Sequence, residues 1–214
     1  MPRGGHPPLS DLAVLGAGSL LAVSGIGRAA AVAAAQALVD AGVSALMTFG
    51  MAGGLDPALK PGTVVIPCEL VSSDGRRFAA DRAWREQVAA NVRALRAVTE
   101  GNLLTSTHAI ETPADKATAF GTTGAAAVDM ESAAVAEIAA KHNLPFIAVR
   151  VIVDTAADML PRAVVAASLE GRVRLARLIG GLILAPREIA SLIRLAQRYR
   201  IAMRSLHAIG AQLA

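Results

Sequence analysis

Cysteine and aromatic residues are scarce in this sequence, and each scarcity excludes a class of structure. Cys68 is the only cysteine among 214 residues, so no disulfide framework can form, and a reducing compartment is predicted. Aromatic residues make up 3% of the chain and hydrophobic residues 54%, so alanine and aliphatic side chains must fill the core. A chain this apolar is not expected to be disordered.

Metal-ligand spacing and long apolar runs are missing as well. The histidines lie far apart in the sequence, so no metal site is expected. The longest uncharged run, Leu12 to Gly27, contains four glycines and is shorter than the roughly 18 apolar residues of a membrane span. Its flanks, Asp11 and a proline-rich lead, suit a secretory signal poorly, and the predicted location is the cytoplasm.

One domain over residues 1–214 is predicted, because no linker or repeat divides the chain. A lead at residues 1–11, rich in proline and glycine, is predicted to be disordered. Strand and helix signals alternate after it, which is typical of an α/β fold. They predict a hairpin over 12–24, a helix ending near Val39, strands over 44–49, 60–67 and 102–105, a glycine loop over 49–57, and an amphipathic helix over 81–98.

The net charge of +4 is concentrated late, since residues 172–204 are rich in arginine and contain one acid, Glu188. Residues 162–214 are predicted to form basic amphipathic helices, at about 162–169, 172–184 and 187–207. Their apolar faces suit the core or a subunit interface, and the arginines beside them suit peripheral contact with the inner membrane. Phosphate-bearing ligands would be attracted to the same charge, but no nucleic-acid partner is predicted. One such face consists of Ile189, Leu192, Ile193, Leu195, Ala196 and Tyr199.

A strand, a helix and a second strand are predicted in succession around the densest set of acids. An apolar strand over 125–128 is followed by a helix over 132–142, which Asn143 closes in a left-handed conformation. Residues 146–153 have the composition of an interior parallel strand that stops at Asp154. Together they form a right-handed βαβ unit, whose two parallel strands end on the same edge of the sheet.

Three acids would meet at that edge, because Asp129 and Glu131 leave the first strand and Asp154 leaves the second. Open α/β sheets bind ligands there. Carboxylates that share a partly dry site repel one another, so at least one should have a raised pKa and be protonated near neutrality. Such a set suits a general acid beside a carboxylate that binds hydroxyl groups. The alternative is that these acids only cap strands and helices.

The glycine-rich segment Ser24 to Ala30 is a second candidate site. Gly25, Gly27 and Ala30 match the dinucleotide fingerprint G-x-G-x-x-A between a strand and a helix, which makes an NAD-dependent oxidoreductase an alternative. The next strand should then end in an acid for the ribose hydroxyls of NAD, but it ends in Thr48-Phe49-Gly50. The fingerprint is therefore incomplete.

The acidic segment and the strand after it resemble the signature of the nucleoside phosphorylase and nucleosidase superfamily. The matching stretches are Val128-Asp129-Met130-Glu131-Ser132-Ala133-Ala134 and Val149-Arg150-Val151-Ile152-Val153-Asp154. The resemblance implies a three-layer α/β/α fold with a central twisted mixed sheet. It also implies a homo-oligomeric enzyme that cleaves the N-glycosidic bond of a purine nucleoside without a cofactor, with phosphate as a co-substrate if the reaction is phosphorolysis.

The resemblance also implies roles for individual residues. Met130 and Glu131 would bind the ribose, the glutamate taking its 2′ and 3′ hydroxyls, and Asp154 would protonate N7 of the departing purine. His108 could donate a hydrogen bond to the base or have no functional role. Further substrate contacts are implied at Asp129, Ala109, Ile110, Gly50, Met51 and Gly53, and an anion or ribose loop at Gly25, Gly27 and Arg28.

Three weaker segments, at 74–78, 169–173 and 186–190, resemble the hopanoid-associated branch of the superfamily. The proposed role of that branch is removal of adenine from adenosylhopane. A basic, apolar carboxyl-terminal region would suit an enzyme that acts on a lipid-linked nucleoside.

The sequence departs from the family pattern at two places. Thr48 and Met51 stand where phosphorylases generally place an arginine and a serine for phosphate, which favours hydrolysis over phosphorolysis. Family members also carry a water-activating glutamate after an additional first strand, whereas this chain has no acid between Asp11 and Asp40. The alternative function is therefore a catalytically weak, membrane-associated binding protein that retains the nucleoside pocket.

Overall fold

The computed structural model describes residues 12–14, 18–160 and 189–213, and the side chains of the last helix over 193–212. The predicted lead at 1–11 and the predicted helices at 162–169 and 172–184 lie outside the described residues. The strands are β1 (Leu12–Val14), β2 (Leu20–Ala22), β3 (Leu46–Gly54), β4 (Val64–Val65), β5 (Glu69–Ser72), β6 (Arg77–Ala79), β7 (Val98–Thr99), β8 (Leu103–Thr105), β9 (Ala127–Asp129) and β10 (Phe146–Asp154). The helices are α1 (Arg28–Asp40), α2 (Arg82–Arg93), α3 (Pro113–Thr123), α4 (Ser132–Lys141) and α5 (Ile189–Leu213).

Eight of these strands form one mixed sheet, in the order β6-β5-β8-β9-β3-β10-β4-β7. β1 and β2 form a separate antiparallel hairpin, as predicted. Helices α1 and α4 cover one face of the central strands, and α2 and α5 cover the other. The predicted α/β fold with a mixed central sheet between two helical layers is confirmed.

The core lies on both faces of the parallel pair β3 and β10. Successive side chains of a strand point to opposite faces, so even-numbered positions such as Leu46 and Ile152 pack under α1 and α4. Odd-numbered positions such as Ile147 and Val151 pack with α2 and α5. Small side chains let α1 lie close to the sheet, and its buried residues are Ala31, Ala34, Ala35 and Ala37.

The predicted βαβ unit is wrong in the direction of its first strand. β3 lies between β9 and β10, and β9 runs antiparallel to β3 whereas β10 runs parallel to it. β9 meets β3 only at Gly53 and Gly54, so α4 carries the chain back along β3 to the level of Leu46, where β10 begins. β9 therefore approaches this level from the opposite direction to β10, although Val128 of β9 and Asp154 of β10 lie at the same level on either side of Gly53.

β3 is longer than predicted, because the expected glycine loop over 49–57 supplies the second half of the strand. Glycine usually weakens a strand, but here the missing side chains leave room for two groups of β10. A Cβ added at Gly50 would lie 2.5 Å from Nη1 of Arg150, and one added at Gly53 would lie 3.2 Å from Oδ2 of Asp154. The glycines of β3 thus mark the places where charged side chains cross the strand.

Helix α3 was not predicted, although its ends carry recognisable signals. Thr112 is the N-cap, and its Oγ1 accepts a hydrogen bond of 3.1 Å from the backbone N–H of Asp115. The Thr112 hydroxyl also donates to the Asp115 carboxylate at 2.6 Å. Pro113 occupies the first turn, and Gly124 ends the helix in the left-handed conformation with φ of 63°.

The other predicted helices differ from the structure mainly at their ends. α4 is followed by Asn143 with φ of 55°, which is the left-handed residue that the sequence predicted. α2 ends at Arg93 rather than near Val98, and α5 continues to Leu213 rather than stopping at residue 207.

α5 uses a different face for packing from the one predicted. The side chains buried against the sheet are Ala202, Leu206 and Ile209, in its second half. In the predicted face, Ile193, Ala196 and Tyr199 are exposed and Leu195 is half-buried. Among the described helices, none is long and apolar enough to cross a membrane.

Candidate active site

A cavity of about 360 Å³ opens between β2, α1, α4 and the middle of β3. Among the described residues that line it, Glu131 is the only carboxylate and Arg150 the only cation. Of the sequence-predicted contacts, Gly25, Gly50 and Met51 also line it, whereas Asp154 does not. Much of the wall is apolar, including Leu20, Leu21, Val23, Ile26, Leu38, Phe49 and Val135.

Glu131 stands half-buried at the amino end of α4, in the cavity wall. Its Oε1 accepts a hydrogen bond of 2.8 Å from the backbone N–H of Gly27, the N-cap of α1. Gly27 has φ of 96°, a conformation that glycine adopts without the steric cost of a side chain. The glycine loop predicted to face an anion thus faces a carboxylate of its own chain, and this bond holds Glu131 beside the cavity.

Asp129 does not line the cavity but belongs to a buried polar network. Its Oδ2 accepts 2.7 Å from Nε of Arg150, and its Oδ1 accepts 2.8 Å from the hydroxyl of Thr105. The backbone N–H of Ser132 lies 3.3 Å from Oδ1 and 3.2 Å from Oδ2, and the Ser132 hydroxyl donates to Oδ2. With its oxygens engaged in this way, Asp129 fixes the end of β9 and the start of α4, and therefore the position of Glu131 between them.

Arg150 is the centre of that network, although it lies in an otherwise apolar strand. Nη2 donates to the hydroxyl of Thr48 at 2.7 Å and to the hydroxyl of Ser132 at 2.8 Å. Its side chain is 5% exposed, and it forms an ion pair with Asp129. Thr48, which stands where phosphorylases generally place a phosphate ligand, thus accepts a hydrogen bond from a side chain of β10.

Asp154 forms a second buried ion pair, with Lys116 of α3. The Lys116 side chain is 0% exposed, and its Nζ donates to Oδ2 of Asp154. Nζ also donates to the backbone carbonyls of Thr155 at 2.8 Å and Asp158 at 3.0 Å. An ammonium group has three N–H donors, so all of them are used.

Burial and the Lys116 ammonium have opposite effects on the pKa of Asp154. Burial raises the pKa of Asp154 above its ordinary value because it disfavours the charged form, and the Lys116 ammonium opposes that rise. The sequence-based expectation that one acid has a raised pKa is confirmed in direction. Its cause is burial rather than repulsion among three neighbouring acids.

Gly53 is the point at which the candidate segments approach one another. In the sheet it pairs with Val128 of β9 on one side and with Asp154 of β10 on the other. Two strand spacings of about 4.8 Å therefore separate β9 from β10 at this level, a gap of about 10 Å. Ile110 packs on the apolar cluster that contains Val128. Gly53, Ile110 and Asp154 are thus brought to one region, adjacent to the acidic segment.

The remaining predicted site residues have less definite surroundings. Met130 and Ala109 are half-buried, and neither lines the cavity. His108 is exposed and its Nδ1 lies 2.9 Å from the hydroxyl of the neighbouring Thr107. Arg28 is exposed and pairs with Glu137 of α4.

Sequence reasoning did not assign a role to Arg150 or Lys116. A single arginine in an apolar interior strand was a usable signal, because a buried charge requires a partner. Lys116 had no comparable signal, since its burial depends on a helix that was not predicted. The structure therefore adds two buried cations, each paired with an acid from the motif.

Comparison with known proteins places these features in a family. The model of the phosphorylase superfamily matches residues 14–183. The chain belongs to this superfamily. The 5′-methylthioadenosine/S-adenosylhomocysteine nucleosidase of Anoxybacillus flavithermus is 30% identical over 164 residues, which are 66% of this chain and 69% of that protein.

Solved structures support the fold assignment. The 5′-methylthioadenosine/S-adenosylhomocysteine nucleosidase of Neisseria meningitidis, in complex with methylthio-immucillin-A, is 24% identical with a TM-score of 0.62, over 80% of this chain and 88% of that one. Futalosine hydrolase of Helicobacter pylori is 19% identical with a TM-score of 0.62, over 81% and 84%. Superfamily members with different names thus share this fold, so the substrate must be argued from the site. The prediction of an enzyme of the nucleoside phosphorylase and nucleosidase class is confirmed.

Proposed function

We propose that this phosphorylase-superfamily enzyme is a nucleosidase that hydrolyses the N-glycosidic bond of a 5′-substituted adenosine and releases adenine. The observation that carries the proposal is Glu131, held by the Gly27 N–H at the wall of an otherwise mostly apolar cavity. A carboxylate in that position can accept hydrogen bonds from the two ribose hydroxyls. The relative from Anoxybacillus flavithermus, whose name gives it this type of substrate, supports the assignment.

Asp154 is the proposed general acid. Breaking the bond from C1′ to N9 leaves negative charge on the purine and an oxocarbenium-like ribosyl group, and protonation of N7 makes adenine a better leaving group. The burial that raises the pKa of Asp154 favours a carboxyl group that still carries its proton at higher pH. Ile110 and Gly53, next to Asp154 and Val128, would form the wall against which the purine lies.

The 5′ substituent is proposed to be apolar. The wall beside Glu131 is built from the aliphatic and aromatic side chains of β2, α1 and β3, which suit an apolar group. Among the lining residues that the structure describes, Glu131 and Arg150 are the only charged ones. Adenosylhopane, the substrate implied by the resemblance to the hopanoid-associated branch, is the largest candidate. The exposed apolar residues Ile193 and Tyr199 of α5 would support contact with the membrane from which such a substrate comes.

Hydrolysis rather than phosphorolysis is supported by Thr48 and Met51, which stand where phosphorylases generally place an arginine and a serine for phosphate. We expect free adenine to be released from 5′-methylthioadenosine at the same rate with and without inorganic phosphate, measured by chromatography. Comparison with adenosine and with adenosylhopane under the same conditions would identify the 5′ group. Strict dependence on phosphate would overturn the hydrolytic assignment. Binding of every substrate without release would favour the weak binding protein instead.

Replacement of Glu131 by glutamine should impair ribose binding while retaining the fold. Glutamine keeps an oxygen that can accept from Gly27, but it lacks the charge that strengthens hydrogen bonds from two hydroxyl groups. We expect kcat/KM to fall by about 10- to 100-fold, which corresponds to the roughly 1.5–3 kcal/mol of a hydrogen bond to a charged group. Glu86→Gln in α2 is the matched control, because Glu86 is exposed, pairs with Arg82 and does not line the cavity, and it should leave kcat/KM unchanged. An equal effect of both variants would contradict the assigned role.

A further inference from the structure

We infer that Lys116 is a positioning residue for Asp154. The Lys116 ammonium holds one carboxylate oxygen of Asp154 in place and sets the pH range over which Asp154 can donate a proton. This inference rests on the proposed function, in which Asp154 protonates the departing purine. It concerns a residue of α3 that lies outside the acidic motif.

Neither group of the pair can be satisfied by water. Lys116 is 0% exposed and Asp154 is 4% exposed. Isolating a charge at such a site is costly, so burial favours the neutral form of Asp154 and the Lys116 ammonium opposes that effect. The protonation state of Asp154 is therefore tied to Lys116 rather than to solvent.

The hydrogen bonds of Lys116 also fix the geometry of Asp154. Two of its N–H groups bind the carbonyls of Thr155 and Asp158, which belong to the turn directly after β10. That turn is closed on itself, since the carboxylate of Asp158 accepts 2.8 Å from the backbone N–H of Thr155. With the ammonium anchored on two carbonyls, its third N–H has one remaining direction, toward Oδ2 of Asp154.

The bond to Oδ2 distinguishes the two oxygens of the carboxylate. Among the described residues, the only side chain that donates to this carboxylate is Lys116, on Oδ2, and the carboxylate also accepts from the backbone N–H of Asp154 itself. Both oxygens lie over Gly53, at 3.2 Å for Oδ2 and 3.4 Å for Oδ1 from the position of an added Cβ. Lys116 thus locks one oxygen and leaves the other as the atom that carries and donates the proton.

Lys116 lies in the first half of a helix whose two ends are both capped. Thr112 caps α3 one turn before it, and Gly124 closes the helix at its far end. Within the part of the chain that the structure describes, Arg198 of α5 adds a weaker attraction to Asp154, and Arg198 is itself paired with Asp158. Arg198 and Asp158 are more exposed than the buried pair, so solvent screens them more.

The direction of the pH effect follows from the sign of the charge. A general acid must carry its proton, so kcat/KM falls as the pH rises through the pKa of Asp154 in the free enzyme. A cation beside a carboxylate favours the ionised form and lowers that pKa. Removing the charge of Lys116 should therefore move the alkaline limb of the profile to higher pH, by about 1 to 3 pH units.

The experiment titrates the carboxyl carbons of protein labelled with 13C at aspartate Cγ, in the wild type and in Lys116→Met. The variant Asp154→Asn identifies the resonance of Asp154 by its loss. We expect the midpoint for Asp154 to rise in Lys116→Met, the alkaline limb of adenine release to rise with it, and kcat below that limb to fall by about tenfold or more through lost orientation. Lys116→Arg keeps the charge, so its midpoint should stay close to that of the wild type.

Arg198→Met is the matched control, because it removes a cation near Asp154 without touching the locked oxygen. An unchanged midpoint in Lys116→Met, or an equal shift in Arg198→Met, would overturn the inference. Lys116→Gln, which retains a donor without charge, takes the place of Lys116→Met if that variant does not fold. The titration needs no turnover, so a wild type that released no adenine would refute the proposed function while the role of Lys116 was still decided.

Discussion

Replacement of Asp154 by asparagine should lower the rate of adenine release by about 10²- to 10⁴-fold, the usual contribution of a positioned general acid. Asparagine has nearly the same shape as aspartate and can still donate a hydrogen bond, but it has no acidic proton to transfer to N7. The rate constant for the chemical step is measured by single turnover with enzyme in excess, so that product release does not conceal the effect. A rate within threefold of the wild type would refute the assignment of Asp154 as the acid.

This variant requires a control for stability, because it leaves Lys116 buried without an opposite charge. Removing one partner of a buried ion pair costs about 3–5 kcal/mol, whereas replacing both partners by neutral groups is often tolerated. The double variant Asp154→Asn with Lys116→Met should therefore be more stable to urea than Asp154→Asn alone. Both should remain inactive. Recovery of activity together with stability would show that Asp154 serves the fold and not the reaction.

The parts of the fold that were predictable have local causes. α4 and the left-handed Asn143 follow from composition and cap chemistry within a few residues, and the apolar run of β10 follows from its burial on both faces. α3 was not predicted, but the same kind of local signal was present, because Thr112, Pro113, Asp115 and Gly124 are ordinary helix-end residues.

The direction of β9 had no local cause and could not be predicted. A three-residue strand has the same side-chain pattern in either direction, and its orientation is set by its pairing with β8 and with the glycines of β3. The same holds for the glycines themselves. From the sequence alone, Gly50 and Gly53 were predicted to be loop residues. In the structure they are strand residues, because the side chains of Arg150 and Asp154 occupy the space above them.

The candidate site was likewise predictable only in part. Glu131 and Asp154 were named from a motif, and the family to which the chain belongs supports attention to both. Their immediate partners, the Gly27 N–H and Lys116, come from segments about 100 and 38 residues away in the sequence. Such contacts depend on the completed sheet, so a single sequence identifies the acids but not the groups that hold them.

The buried network around Arg150 leads to a further large effect, on stability rather than on chemistry. Arg150→Met leaves Asp129 buried beside Ser132 and Thr105 without its opposite charge. We expect a loss of about 3–5 kcal/mol in the free energy of unfolding, measured in urea by circular dichroism. For a chain of this length that corresponds to a fall in Tm of about 6–20 °C, at roughly 2–4 °C per kcal/mol.

The matched variants decide what Asp129 does. If it is structural, Asp129→Asn should also destabilise the protein, and the double variant Asp129→Asn with Arg150→Met should recover part of the loss because neither charge is then unpaired. KM for the nucleoside should change little in Asp129→Asn at a temperature where the variant is folded. A rise in KM without a loss of stability would instead support the substrate contact that the family resemblance implied for Asp129. We expect the structural outcome, because a carboxylate already bonded to Arg150, Thr105 and Ser132 has little capacity left for a ligand.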